Sequence, residues 1–367
     1  MRLSAEMSKF LTKIMTMGAG TSLPIIMTSV ELCKLIGVIY HDNNCSHILQ
    51  GRYPDLAPFI LPSADYYDMH ESWFDELIPL LPNAHIVLIE QGINDIEDFV
   101  TYLKCLSEIH KRRKKYQKIL SGQPLPKMVQ VSPRSLIEYG TMNPQCLASW
   151  LTWRKFFYDI DNRAAQETGY LFEPILASAL GGEQMSARNS AVRRTGDASK
   201  GRQVDCWKVM ANGTQFAYEF KLRVTIAASG QGRFSEEIQF AVDACNSGAK
   251  PILLVLDPTM NPRLDDLQQA YIQNGGAAYL GDAAWQHLEE QAGEVMSQFI
   301  ERYVRRPIED ISRFETNSLG FYDVNHSNLL DLNISNAGGR LNLQIGGYWH
   351  CINRQVNYSL PDDSSEE

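Results

Sequence analysis

The chain has 367 residues, a formal net charge of −9 and a hydrophobic content of 44%. A chain of this length can bury about three quarters of its unfolded surface, so we expect a hydrophobic core and more than one structural unit. The acidic balance argues against a protein that coats nucleic acid over its whole surface.

The cysteines and the N-terminal part of the chain bear on its compartment. The seven cysteines are scattered and include no C-x-x-C pair, which favours reduced thiols over disulfides or a zinc site. The longest apolar stretch near the N terminus, residues 23–40, contains Glu31 and Lys34 and is too polar for a membrane-spanning helix. Because no signal peptide is recognised either, we expect a cytoplasmic protein.

Residues 1–125 form a first segment that is rich in helical patterns. Its longest pattern contains five consecutive bases, residues 111–115. These bases could grip DNA phosphates, act as a nuclear localisation signal or form a solvated helix end, where basic side chains complement the helix dipole. Residues 122–126, with a glycine and two prolines, are the best candidate for a linker.

A further amphipathic helix is predicted over residues 163–180, because apolar pairs recur there every four residues. Pro174 should kink this helix, since a proline inside a helix removes a hydrogen bond and costs about 3 kcal/mol. Glu173 lies beside the kink. It is either an acid aimed at a functional site or an ordinary solvated helix residue.

A β-hairpin is predicted over residues 204–221. Apolar and polar residues alternate along its second strand, so Glu219 and Lys221 point to the same face. A two-residue Asn-Gly turn would place Asp205 opposite Phe220, whereas a three-residue Ala-Asn-Gly loop places it opposite Glu219. We favour the longer loop, because it gathers the acids on one face and the hydrophobic residues on the other.

Two facing carboxylates repel each other unless a cation offsets their charge. Mg²⁺ is a hard cation that binds one or two carboxylates together with waters and a substrate phosphate. Asp205 and Glu219 could therefore hold Mg²⁺ beside a phosphodiester, where Lys221 would position the attacking water and offset negative charge. The same three residues also fit a cross-strand salt bridge on a solvated sheet face.

A basic segment encloses the hairpin. Residues 186–233 contain nine basic residues and three acids, a net charge of +6, so the rest of the chain carries −15. Phosphate contacts supply most non-specific affinity for nucleic acid, and arginine or asparagine side chains can read bases in the major groove. The candidate DNA-binding residues are Arg188, Asn189, Arg193, Arg194, Lys200, Arg202, Arg223 and Arg233. A solvated, charged surface loop is the other explanation.

Helices and strands alternate after the hairpin. A helix with an apolar stripe from Phe234 to Cys245 precedes the wholly apolar run 252–256, which is typical of a strand covered on both faces. Residues 279–280 add a short strand before one long helix that reaches Ile300.

With these elements the chain resembles the PD-(D/E)XK nuclease superfamily and, within it, the type II restriction endonucleases. The resemblance covers residues 130–305. In it, Asp205 matches the first metal-binding acid, Glu219 the second and Lys221 the motif lysine, while Phe220 would offer its backbone carbonyl to the metal. The overall texture of the chain, more than any single motif, points to the ApaLI-like group.

The order of elements supports the resemblance: a helix bearing Glu173 as an additional acid, the acid hairpin, a helix and a buried strand. Val204 departs from the proline in the family's name, which is the least constrained part of the motif. The resemblance implies an α/β fold in which helices flank a central mixed β-sheet. We expect a helix-rich N-terminal region (1–125), a nuclease core (126–306) and a small β-rich appendage (307–367) with a disordered acidic tail.

The resemblance also implies a Mg²⁺-dependent type II restriction endonuclease with one or two Mg²⁺ per active site. Such an enzyme would cleave double-stranded DNA at a specific, palindromic sequence by in-line attack of water, as a homodimer in the prokaryotic cytoplasm and without a membrane. Two alternatives remain open: a DNA repair or junction-resolving nuclease with the same core, and a non-catalytic DNA-binding protein.

Overall fold

The computed structural model describes residues 5–18, 23–130, 133–140, 143–168, 172–221, 230–256, 262–312, 340–345 and 348–353. The chain divides into two compact units, one of residues 1–28, 107–170 and 310–367 and the other of residues 29–106 and 171–309. These units interleave along the sequence. They do not test the three consecutive segments expected above, which stay a prediction.

The N-terminal region is rich in helices, as expected. Its helices are α1 (Ala5–Met15), α2 (Ser29–Asp42), α3 (Ser46–Arg52), α4 (Ala57–Ile60), α5 (Glu71–Asp75), α6 (Ala84–Asp95) and α7 (Phe99–Gly122). The two-residue strands β1 (Thr16–Met17) and β2 (Ile25–Ile26) pair antiparallel. Short 3₁₀ helices lie at Tyr66–Asp68, Met128–Gln130 and Pro133–Glu138.

The later helices precede, separate or follow the strands along the chain. They are α8 (Pro144–Thr168), α9 (Phe172–Ala179), α10 (Gly230–Asn246), α11 (Pro262–Gln273), α12 (Asp282–Ala292), α13 (Glu294–Ile300) and α14 (Arg306–Ser312), with one π-helical turn at Glu301–Arg305. None of the helices in the described part of the chain is both long and apolar enough to span a membrane.

A five-stranded mixed sheet is the centre of the second unit. Its strands are β3 (Glu183–Met185), β6 (Val204–Val209), β7 (Gln215–Lys221), β8 (Lys250–Val255) and β9 (Ala277–Leu280), in the order β3-β6-β7-β8-β9. The pairs β3/β6 and β6/β7 are antiparallel, whereas β7/β8 and β8/β9 are parallel. Parallel neighbours require crossover connections, and α10 and α11 supply them. The predicted α/β fold with a central mixed sheet is confirmed.

The hairpin adopts the register that the three-residue loop predicts. Cys206 pairs with Tyr218, and the backbone N–H of Met210 donates to the carbonyl of Thr214 at 2.8 Å. Gly213 closes the loop with a φ of +83°, a conformation that glycine adopts without steric cost. Continuing the same register places Asp205 opposite Glu219 and leaves Phe220 on the other face, where it is 5% exposed.

Helices cover both faces of the sheet. On the face of Ala217 and Leu253, the core includes Phe240 of α10 and Tyr271 of α11. On the other face, Tyr218 contacts His287 of α12 at 3.3 Å. Both faces are therefore buried, so the acid face is not purely polar as the hairpin pattern had suggested. Trp207 and Ala217 line its apolar end.

Two predicted helices differ from the structure. The helix expected over residues 163–180 is two helices, α8 and α9, and Pro174 lies in the first turn of α9, where its missing N–H leaves no helical hydrogen bond unmade. The long helix expected to reach Ile300 is broken between α12 and α13 at Gly293, whose φ is +78°. A positive φ interrupts a helix and is a conformation that glycine adopts without steric cost, and the sequence pattern alone did not reveal this break.

The apolar stripe of α10 is also shifted from its predicted position. Cys245 is exposed, while Phe240 and Ala244 are buried. The buried face includes Asp243, which is fully inaccessible and was not expected there.

The five-base run lies within α7 and not at a helix end. Lys111 and Lys115 are each only 1% exposed. Lys111 donates to the carbonyl of Lys13 at 2.8 Å and pairs with Glu108 at 2.5 Å. Lys111 is therefore bound to other residues of the first unit, and the burial of both lysines contradicts a solvated helix end and a phosphate contact for them. The same unit has a small core of Leu23, Ile119, Phe156 and Ile160.

The described part of the C-terminal appendage consists of the end of α14 and a β-hairpin. Its strands β10 (Arg340–Ile345) and β11 (Tyr348–Asn353) pair antiparallel. The acidic tail, which was expected to be disordered, lies outside the described residues.

Candidate active site

The three motif residues meet at one edge of the sheet. Asp205 is near the start of β6, and Glu219 and Lys221 are near the end of β7, which runs antiparallel to it. The carboxyl ends of the parallel strands β7 and β8 lie at this same edge, where open α/β sheets commonly bind ligands. The hairpin register and the parallel pairing thus place the predicted residues together.

Asp205 is a buried carboxylate, only 5% exposed. Its Oδ2 accepts a hydrogen bond of 3.0 Å from the backbone N–H of Phe220. Burial, with the nearby charges of Glu219 and Glu173, raises the pKa of Asp205 well above its usual range, although the Phe220 N–H and Lys221 oppose the shift. This carboxylate therefore lies in a region with excess negative charge.

Lys221 lies between two carboxylates. Its ammonium donates to Oε1 of Glu219 at 2.8 Å and to Oε1 of Glu237 in α10 at 3.0 Å. Burial lowers the pKa of Lys221, but the charges and hydrogen bonds of both acids outweigh burial, and the net shift is upward. The lysine is thus held in its charged form.

Glu173 belongs to the same electrostatic cluster. Burial and, second, the charge of Glu219 raise the pKa of Glu173 to about 7, while Lys221 lowers it. Gln184 Nε2 donates to the Glu173 carboxylate at 3.3 Å. Glu173 therefore interacts electrostatically with the motif residues, and its role as an additional acid stays a prediction.

A cavity of about 280 Å³ opens beside these residues. It is lined by Arg194, Arg202, Gln203, Asp205, Glu219, Lys221, Glu236, Glu237 and Phe240. The motif residues and two members of the basic segment therefore share one cavity.

The donor set fits a hard divalent cation. In the described part of the chain, no group of three or more His, Cys, Asp or Glu side chains could hold a metal ion by itself. Mg²⁺ needs fewer protein ligands, because it keeps several waters and uses one or two carboxylates with substrate phosphates. The raised pKa values of Asp205 and Glu173 arise partly from neighbouring acids, and a dication would relieve that repulsion.

The backbone beside Asp205 also faces the acids. The Lys221 carbonyl accepts a hydrogen bond from Leu256 just after β8, at 2.9 Å. Along a strand, the N–H and C=O of one residue point to the side opposite to those of the next residue. Because the Lys221 carbonyl faces β8, the N–H and C=O of Phe220 face β6, where the N–H donates to Asp205. This orientation is compatible with the expected carbonyl ligand at Phe220.

The candidate DNA-binding residues fall into different environments. Arg188, Asn189 and Arg193 are exposed. Arg194 pairs with Glu236 at 3.1 Å, and Lys200 pairs with Asp197 at 3.0 Å. Arg223 and the side chain of Arg233 lie outside the described residues.

Arg202 is the candidate that is most engaged within the protein. It is 7% exposed, pairs with Asp243 at 2.5 Å and also contacts Glu236. Asp243 in turn accepts from the N–H of Thr195 at 2.7 Å. This network attaches the two-stranded sheet of β4 (Arg193–Arg194) and β5 (Asp197–Gly201) to α10.

Glu237 is the site residue that sequence reasoning missed. It lies three, four and seven residues before the buried Phe240, Ala241 and Ala244, so it shares their face of α10. A carboxylate on the apolar stripe of a helix is the signal that could have identified it.

Comparison with known proteins identifies the family of the chain. The family model of the ApaLI-like restriction endonucleases matches residues 55–305. The chain is also 52% identical over 368 residues to a protein of Acetobacter pasteurianus described as type II restriction enzyme ApaLI, covering 100% of this chain and 98% of that protein. The chain therefore belongs to the ApaLI-like restriction endonuclease family.

Proposed function

We propose that this protein is a Mg²⁺-dependent type II restriction endonuclease that hydrolyses double-stranded DNA at a specific, palindromic sequence in the bacterial cytoplasm. The observation that carries the proposal is the hairpin register, which sets Asp205 opposite Glu219 with Lys221 on the same face. The family match and the full-length relative support the reaction class.

Asp205 and Glu219 would hold Mg²⁺, with the Phe220 carbonyl as a further ligand and Glu173 as an additional acid. When bound, Mg²⁺ supplies positive charge beside the phosphodiester and lowers the pKa of water. The Phe220 N–H orients the Asp205 carboxylate through its hydrogen bond of 3.0 Å. Burial and the charge of Glu219 raise the pKa of Glu173 to about 7, so a substantial fraction of Glu173 carries a proton near neutral pH in the metal-free protein.

Lys221 would place its ammonium beside the scissile phosphate. There it orients the attacking water and offsets the negative charge that develops on the phosphoryl oxygens. The water oxygen forms a bond to phosphorus as the opposite P–O bond breaks. The attacking water gives one proton to solvent, and the leaving deoxyribose oxygen takes one proton up from solvent. Because Lys221 remains charged, it acts by electrostatic stabilisation and positioning, and it does not take up the proton.

The exposed residues of the basic segment would contact DNA. Arg188, Asn189 and Arg193 are accessible, so they need no rearrangement to reach phosphates or base edges. Arg194 would exchange Glu236 for a phosphate. Lys200, Arg223 and Arg233 stay candidates, whereas the burial of Arg202 favours a structural role.

A homodimer would match a palindromic site. A two-fold axis relates the two half-sites of a palindrome, and a two-fold symmetric dimer presents the same reading surface to each of them. Each subunit would then cut one strand.

The test is digestion of sequenced plasmid DNA with the wild type and with Asp205→Ala, Glu219→Ala and Lys221→Ala. The wild type should give discrete bands with Mg²⁺ and none with EDTA. Each variant should lose cleavage by about 100-fold or more, and Lys221→Ala should retain DNA binding in Ca²⁺ because the metal-binding acids remain. Full activity in any one variant would exclude the proposed site.

Smeared products or a preference for branched DNA would indicate a repair nuclease, and binding without cleavage would indicate a non-catalytic protein.

A further inference from the structure

Two carboxylates hold Lys221, and they have different surroundings. Glu219 lies on β7, on the same strand as Lys221, and opposite Asp205. Glu237 lies on α10 and reaches Lys221 from outside the sheet. The proposed metal would bind Glu219 together with Asp205, which lies opposite it on the neighbouring strand. Glu237 lies on a helix and has no such facing acid among the described residues.

The second oxygen of Glu237 is the notable feature of this residue. Oε1 contacts Lys221, but Oε2 is buried and makes no hydrogen bond within the described part of the chain. A buried acceptor without a partner is unfavourable, so such an atom in a native fold requires an explanation. A carboxylate placed only to stabilise the fold would be expected to have both oxygens satisfied or solvated.

The helix that carries Glu237 is firmly packed. Phe240, Ala241 and Ala244 of α10 are buried in the core against β7 and β8. Asp243, directly before Ala244, is fully buried and binds Arg202 and Thr195. Glu237 is therefore presented from a rigid element, and its own side chain is 23% exposed.

Metal binding would change the balance between the two partners of Lys221. A carboxylate that coordinates a dication has fewer lone pairs, and less charge, to offer an ammonium group. Lysine has a flexible four-carbon side chain, so an ammonium with one weakened partner would sample many positions. Glu237 is the partner that remains.

We infer that Glu237 is a positioning residue, which holds the Lys221 ammonium in place for cleavage once Glu219 is engaged by the metal. This inference rests on the proposed function. It adds a residue on α10 to the motif residues of the hairpin, and it assigns that residue an effect on the rate of the chemical step and not on DNA affinity.

The experiment compares Glu237→Ala and Glu237→Gln with the wild type in single-turnover cleavage of plasmid DNA with Mg²⁺. Misplacement of a reacting group by about 1 Å can cost on the order of 100-fold in rate, and we expect a loss of that size for Glu237→Ala. The glutamine amide oxygen can still accept a hydrogen bond from Lys221, so Glu237→Gln should lose less. DNA affinity in Ca²⁺ and the urea midpoint should stay at the wild-type values in both variants.

Two controls complete the design. Glu294→Gln removes one charge from an exposed residue in the first turn of α13 and should cleave at the wild-type rate. Asp205→Ala is measured in parallel: if it cleaves normally, the proposed function fails, whereas normal cleavage by Glu237→Ala with an inactive Asp205→Ala overturns only the inference.

A crystal structure of metal-free Glu237→Ala gives a readout independent of activity. The Lys221 ammonium should remain beside Glu219 in that state, because Glu219 is still free to accept. Loss of DNA affinity instead of rate, or a rate loss that matches a loss of folded protein, would also contradict the positioning role.

Discussion

Asp205 and Lys221 are both buried, but the neutral form of Asp205 is favoured whereas Lys221 stays charged. Burial and the charges of Glu219 and Glu173 raise the pKa of Asp205, and its single N–H donor does not offset them. Lys221 has two carboxylate partners, and their attraction outweighs the cost of burial. In the absence of metal the site therefore favours a bound proton on an acid, but it keeps its lysine charged. A dication could take the place of that proton.

Glu173 gives this imbalance a measurable effect on stability. Its pKa is about 7 in the folded protein, against an ordinary value of 4.5. The folded state therefore keeps a proton that the unfolded state releases between these pH values, and the stabilisation present below pH 4.5 is lost as the pH rises towards 7. After allowance for solvent screening at a half-buried group, we expect a loss of about 1 kcal/mol.

Urea unfolding in EDTA checks this prediction, with the wild type and Glu173→Gln compared across that pH range. The glutamine variant should show a smaller decline in stability, since an amide does not titrate. Glu183→Gln, which changes an exposed acid nearby, should decline like the wild type. An identical pH dependence in all three proteins would show that Glu173 titrates normally.

At the scale of elements, the sequence predicted what local rules determine. Period-2 alternation and a glycine in the left-handed position were sufficient for the hairpin register, because both act within a few residues. The apolar run gave β8 for the same reason. The break at Gly293 was missed, since a single glycine inside a helical pattern can be tolerated without ending the helix.

The missed residues depend on contacts that are distant in sequence. Glu237 meets Lys221, and Asp243 meets Arg202, only after the crossover from β7 to β8 packs α10 on the sheet. The periodicity of α10 indicated which residues are apolar, but it did not indicate which acids are buried with them. Tertiary packing determines the partner of a buried charge. From the sequence alone, a basic residue such as Arg202 therefore cannot be distinguished from a DNA contact.

The Arg202–Asp243 pair predicts a large effect on stability. Hydrogen bonds from Thr195, Arg202 and Gln239 outweigh burial and lower the pKa of Asp243, so it remains ionised. Removal of one partner leaves the other charge buried, which costs about 3 to 5 kcal/mol. We expect a loss of this size for Asp243→Ala, and a double variant with Arg202→Ala that is less destabilised than the sum of the single variants.

Denaturant unfolding measures this cycle. Lys200→Ala is the matched control, because Lys200 pairs with Asp197 while its side chain is 70% exposed, and exposed pairs contribute less than about 1 kcal/mol. If Arg202→Ala left stability unchanged and weakened DNA binding, Arg202 would be a DNA contact as first predicted.

At the scale of the whole molecule, charge is distributed unevenly. The chain carries −9, yet the segment 186–233 carries +6, and the segment includes exposed Arg188 and Arg193. Under the proposed function, such a distribution would attract DNA to the exposed residues of this segment and repel it elsewhere. Two members of the segment, Arg194 and Arg202, line the cavity of the candidate active site together with Asp205.

The proposed homodimer makes a prediction that distinguishes it from an enzyme with a single active site. Each subunit would contribute one set of Asp205, Glu219 and Lys221, and the two-fold axis would place one DNA strand in each active site. Both active sites are then needed to cut both DNA strands. Mixed dimers of wild-type and Asp205→Ala subunits, selected through two different affinity tags, should therefore nick supercoiled plasmid at the recognition site. They should accumulate open circles, while wild-type dimers yield linear DNA in the same time. Linear product from mixed dimers, without an open-circle intermediate, would mean that one active site cuts both strands and that the two-fold arrangement is wrong.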